Sequence, residues 1–125
     1  DLFVVADEVY RRIWFQEAPT SALSFGEHAD RVVVIDSVSK TWSACGLRLG
    51  FLISRSAALM EKVERLGQAR LGPQPLAQHV GLAALWLPAS YYDEVRTTYQ
   101  TRVDAMFEGL RAIPGVSAPV PAGAF

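Results

Sequence analysis

Two short runs of apolar, mostly β-branched residues limit the fold most: "LFVVA" at residues 2–6, ending on Asp7 and Glu8, and "VVVI" at residues 32–35, stopping at Ser37, Ser39 and Lys40. Runs without apolar–polar alternation suit strands buried on both faces of an α/β sheet. Between them lies an irregular segment rich in Pro, Ser, Thr and Gly, in which "FGEHADR" reads as a turn of helix. A third strand is expected at "LRLGFLIS", residues 47–54, reached through the turn-like Ala44-Cys45-Gly46. It follows Lys40 too closely for a helical crossover, so it should run antiparallel to its predecessor or cross the sheet edge.

From residue 55 the apolar period lengthens. "SAALMEKVERLG" sets Leu59, Val63 and Leu66 on one stripe and should stop at Gly67. "LAQHVGLAALWL" is apolar nearly all round, which predicts an interior helix closed by Pro88. The longest element is expected over "ASYYDEVRTTYQTRVDAMFEGLRAI", with Ser90 as N-cap and Asp93 and Glu94 in the first turn. Val95, Tyr99, Val103, Met106 and Leu110 would form its apolar stripe. Pro114-Gly115 then marks a change of domain. The pattern divides the chain into a large α/β domain over residues 1–88, a connecting helix over 89–113 and the start of a smaller α+β domain over 114–125.

Charge and composition narrow the functional classes. Twelve basic residues against thirteen acidic ones give a net charge of −1, and half of the residues are hydrophobic. That balance gives no reason to expect nucleic acid as a partner, and no apolar stretch approaches the roughly 20 residues of a spanning helix. A single cysteine, Cys45, excludes an internal disulfide and fits a cytoplasmic protein. No metal site is expected. The chain opens already inside a strand-like run and closes on "PVPAGAF", another strand-like entry, so it reads as part of a longer protein.

In open α/β sheets ligands sit outside the carboxyl ends of the strands. Asp7 and Tyr10 follow the first strand, Ser37, Ser39 and Lys40 the second, and Arg48 lies on the returning segment. The basic residues include only two lysines, Lys40 and Lys62, so a lysine beside hydroxyls at a strand mouth is not surface filler. An amine able to form a Schiff base, with a carboxylate, a phenol, hydroxyls and a guanidinium, matches the needs of pyridoxal 5'-phosphate. The amine attaches it, the carboxylate keeps its ring nitrogen protonated, and the hydroxyls and guanidinium hold its phosphate.

"DEVY" after an apolar strand, then "SVSKTW", then "GLRLGF", resemble in order and spacing the fold-type I pyridoxal-phosphate enzymes, specifically the class I/II aminotransferases. The resemblance extends through "GQARLGPQPLAQ", "YYDEV", "IPG" and "PAGAF", and the neighbourhoods of "QARLGPQP" and "PAGAF" lean toward the aspartate-aminotransferase-like branch. It implies Asp7 at the pyridine nitrogen, Tyr10 at the ring oxygen and Lys40 as Schiff-base lysine and proton carrier. Ser37 and Arg48 would hold the phosphate with Ser39 beside them. It also implies ping-pong transfer between an amino acid and a 2-oxo acid, in a homodimer. Two other readings use the same scaffold, a carbon–sulfur lyase and the aminotransferase-like domain of a transcription regulator; Tyr10 favours transfer over elimination.

Other residues take plainer roles. Glu8 is expected to cap backbone or face a helix, His28 to be solvated, His79 to be a core or interface histidine, and Cys45 to pack. Trp14 and Trp86 read as core or interface, Trp42 as the one tryptophan near the pocket, and Arg70 as solvated.

Overall fold

The computed structural model describes residues 2–124. Asp1 and Phe125, the last residue of the "PAGAF" run, lie outside the described residues. The chain divides into two units: residues up to Val9 with Thr20–Trp86, and Tyr10–Pro19 with Leu87 onward.

The first unit is built on a three-stranded sheet. Strand β1 (Val4–Asp7) pairs in parallel with β2 (Val32–Ser37), and β2 pairs antiparallel with β3 (Gly50–Ser54). The registers Asp7 to Ile35 and Gly50 to Ser37 bring the end of β1, the end of β2 and the start of β3 to one sheet edge. A single helical turn α1 (Val38–Thr41) and a 3₁₀ turn over Cys45–Leu47 connect β2 to β3. That short link is why β3 reverses direction. Val32 and Val34 form the core with Ala22, flanked by Ala6 and Leu23.

Burial departs from the expectation for the first strand. β2 is buried as its unbroken valines predict, but β1 is the sheet's outer strand among the described residues, and Val5 is 69% exposed. A strand loses water only on the sides that something covers, and here β2 covers one edge of β1.

Helix α2 (Ala57–Gln68) is capped by Ser56, whose Oγ accepts from Leu59 N at 3.3 Å, and it runs one residue beyond the glycine expected to stop it. Helix α3 (Pro75–Ala84) begins with proline at its first position, where the missing N–H is harmless. It ends four residues before Pro88. The expectation of an interior helix fails: only Ala77 and Gly81 are buried, and Leu76, Leu82, Leu85 and Trp86 are exposed. Small residues let this helix approach the segment that enters β3. A Cβ on Gly81 would stand 2.5 Å from Leu49 Cδ2.

The second unit contains helix α4 (Ala89–Arg111) and a short pairing of Trp14 with Gly123, fixed by Phe15 N to Ala122 O at 2.8 Å and Ala124 N to Ile13 O at 3.1 Å. Pro88, not Ser90, is the N-cap, and the acids at 93 and 94 fall beyond the first turn. Phe107 takes the buried position expected of Met106, which is exposed. The helix is held to residues 10–19 by cation–π stacking: Arg12 lies 5.0 Å from the Tyr92 ring and Arg96 lies 4.6 Å from the Trp14 ring. No helix among the described residues is long and apolar enough to cross a membrane.

Candidate active site

The C-terminal end of β2 is shaped by short side-chain bonds. Ser37 leaves the strand in extended conformation and caps α1, its Oγ accepting from Ser39 N at 3.1 Å. The same oxygen lies 2.8 Å from Ser39 Oγ and 3.1 Å from the Leu49 carbonyl. A hydroxyl has one proton, so all three contacts hold together when Ser39 donates to Ser37 and Ser37 donates to Leu49. Two hydroxyl oxygens thus stand side by side at the strand end. Val38 N also donates to Leu49 O at 3.3 Å, joining the helical turn to the segment that enters β3. Lys40 is exposed on this turn, one residue before the buried Thr41.

Arg48 is brought back to that edge by strained backbone. Ser43 and Arg48, on either side of the 3₁₀ turn, have φ of 52°, the left-handed region that L-residues avoid. Such outliers persist where the surroundings over-determine them. Here the turn must close between Val38 and Leu49, and Arg48 Nη1 donates to Cys45 O at 3.2 Å. Gly50 follows because a Cβ there would lie 3.2 Å from Asp36 O.

Asp7 ends β1 beside Ile35 of β2, its Oδ1 accepting from Val9 N at 3.2 Å. Asp7 and Ser37 therefore end two adjacent parallel strands, with Ser39 and Lys40 just beyond the second and Arg48 just before the strand that returns. Tyr10 opens the second unit, half-buried, with its carbonyl accepting from Ile13 N at 2.8 Å. Its assignment rests on its position three residues after Asp7.

Several features escaped the sequence reading. Asp36 Oδ1 accepts from Ser37 N at 2.7 Å, and Thr41 buries a hydroxyl that has no hydrogen-bond partner. The signal for the first was an acid directly before a capping serine. Cys45 is exposed rather than packed, because the 3₁₀ turn holds it outward. His79 is also exposed, its Nδ1 2.9 Å from the Pro75 carbonyl of its own helix. His28, Arg70 and Trp86 are exposed, while Trp14 and Trp42 are half-buried.

The donor set fits pyridoxal 5'-phosphate. Paired hydroxyls and a guanidinium suit a phosphate, an exposed carboxylate suits a pyridinium, and an exposed amine suits a carbonyl carbon. A mixed α/β region with these groups at its strand ends belongs to the large-domain class of fold-type I enzymes. The alanine aminotransferase of Pyrococcus furiosus superposes with a TM-score of 0.84 at 32% identity, over 98% of this chain and 32% of that one.

Residues 1–125 match the family model for aminotransferase class I and II, and the chain belongs to that family. The aspartate aminotransferase of Musicola paradisiaca is 33% identical over 126 residues, 98% of this chain and 31% of that protein. The uncharacterized HTH-type transcriptional regulator YisV of Bacillus subtilis is 31% identical over 128 residues, 98% of this chain and 26% of that protein. The chain spans about a third of the length of the curated relatives it matches.

Proposed function

We propose that this chain carries the cofactor-binding centre of a pyridoxal-phosphate-dependent amino-acid aminotransferase. The observation that supports this best is the gathering of Asp7, Ser37, Ser39, Lys40 and Arg48 at one sheet edge, in a chain of this family. When bound, pyridoxal phosphate supplies an electron sink for the carbanion formed at the substrate Cα.

The residues do the rest. Lys40 Nζ would hold the cofactor through its carbonyl carbon and would serve as the base for the proton on the substrate Cα. Asp7 holds the pyridine nitrogen protonated by charge pairing, and Tyr10 donates its phenol proton to the ring oxygen. Ser37, Ser39 and Arg48 bind the phosphate, the guanidinium matching two of its oxygens at once. An amino acid leaves as its 2-oxo acid before a second 2-oxo acid enters, which gives ping-pong kinetics. The active protein is a homodimer of the cytoplasm. Its large domain ends near residue 88, residues 89–113 form the connecting helix, and residues 114–125 open the small domain.

Titration of the protein with pyridoxal phosphate, followed by aspartate or glutamate, tests the reading. A visible band of lysine-bound cofactor should form and then be lost as one equivalent of 2-oxo acid appears. The similarity to YisV favours a second reading, a cofactor-binding regulatory domain. A band that forms but responds to no amino acid would support that one.

A further inference from the structure

We propose that Glu8 is the positioning residue that fixes the Asp7 carboxylate, an inference resting on the reading that Asp7 meets the pyridine nitrogen. Glu8 directly follows the last residue of β1, and its own backbone N–H extends the parallel ladder one step further, donating to Ile35 O at 2.9 Å. Its side chain is tied down as well. Oε1 accepts from Ala22 N at 2.7 Å and from Ser21 Oγ at 3.0 Å.

Those two donors lie where a 3₁₀ turn (Ala22–Ser24) begins, and Ser21 also caps that turn, accepting from Leu23 N at 3.3 Å. The turn is rooted in the core, because Ala22 is buried with Val32 and Val34. A continuous set of contacts therefore runs from the core through Ala22 to the Glu8 carboxylate and back to the exit of β1.

Successive side chains along an extended strand point to opposite sides. With Glu8 bound to the turn on one side, Asp7 is directed to the other, and the bond from Val9 N to Asp7 Oδ1 limits its rotation. Hydrogen bonds to a charged acceptor are the stronger kind. Without them the strand exit would lose its side-chain tie to the turn, and Asp7 would sample positions away from the ring nitrogen.

The test uses two probes, pyridoxal 5'-phosphate and its 1-deaza analogue, which has carbon in place of the ring nitrogen and nothing for Asp7 to pair with. Affinities come from quenching of tryptophan fluorescence on the intact protein. Wild type should prefer the natural cofactor. Glu8→Ala should weaken that affinity about tenfold while changing analogue affinity less than about twofold, since only the natural ring exploits the carboxylate. Glu8→Gln, which retains an acceptor oxygen, should fall between. Ser21→Ala, which removes one of the two donors, should show a smaller loss of the same selectivity, and it carries the test if Glu8→Ala does not fold.

Equal weakening of both probes would reduce Glu8 to a structural clamp and overturn the inference, as would no change on either. Wild type that binds both probes equally tightly would overturn the role of Asp7 itself. Wild type that binds neither would overturn the cofactor reading, and this inference with it.

Discussion

Arg48 offers a perturbation in which stability and ligand binding move in opposite directions. Its backbone sits at φ 52° and ψ 40°. There the Cβ of an L-residue crowds the carbonyl at a cost of about 1–2 kcal/mol. Glycine escapes the clash, although the greater freedom of its unfolded chain returns about 0.5–1 kcal/mol. The side chain adds one exposed hydrogen bond, to Cys45 O at 3.2 Å, worth about 0.5 kcal/mol. Arg48→Ala loses that bond and keeps the clash, so it should be less stable than wild type by about 0.5 kcal/mol. Arg48→Gly loses both and should lie about 0.5–1 kcal/mol above Arg48→Ala, level with or slightly above wild type. Both variants lack the guanidinium and should lose pyridoxal phosphate affinity alike, by tenfold or more if the lost bonds to phosphate are worth about 1.5–3 kcal/mol. Stability is read from urea midpoints of cofactor-free protein, because bound ligand would add its own stabilisation. A glycine variant less stable than the alanine variant would refute the strain argument. Affinities that differ between the two would show that the turn's geometry, not the guanidinium, binds the phosphate.

Three further outcomes are expected. Lys40→Ala should abolish amino transfer while keeping measurable affinity for pyridoxal phosphate through Ser37, Ser39 and Arg48, so an undiminished rate would contradict its assignment. Ser37→Ala removes the cap of α1 and the bond to Leu49 O, and should lower cofactor-free stability by about 1–2 kcal/mol in urea titrations; an unchanged midpoint would mean that these bonds are not formed in solution. Gly81→Val puts a branched side chain 2.5 Å from Leu49 Cδ2. Overpacking of that kind costs about 1–3 kcal/mol, whereas the exposed Gly67→Ala on α2 should be neutral or stabilising by up to about 1 kcal/mol.

The strand ends were the legible part of the sequence. Unbroken valines mark β2 because its register leaves no face for water, and the spacing from Ser37 to Lys40 is one helical turn whatever surrounds it. The closeness of Lys40 to "LRLGFLIS" forced β3 to reverse, since no crossover fits in so few residues. Glu8 could be read as a backbone cap because acids beside strand ends so often serve that way, and its oxygen does accept from Ala22 N.

What could not be read depends on neighbours rather than on the residues themselves. β1 and α3 have the composition of buried elements, yet composition records only a preference for burial and cannot name what provides it. Phe107 and Met106 both continue the apolar stripe of α4 from Val103, at spacings of four and three, and packing chose Phe107. The left-handed Arg48 leaves no local signal, because arginine has no preference for that conformation. It lies between the 3₁₀ turn and Leu49, whose carbonyl accepts from Val38 N.

Whether Lys40 carries the cofactor is read by reducing the protein with borohydride after incubation with pyridoxal phosphate, digesting it, and locating the added group by mass spectrometry. A reduced phosphopyridoxyl group is expected on the peptide containing Lys40, lost in Lys40→Ala. Stoichiometric labelling at Lys62, the only other lysine in the chain, or no labelling of either, would contradict it.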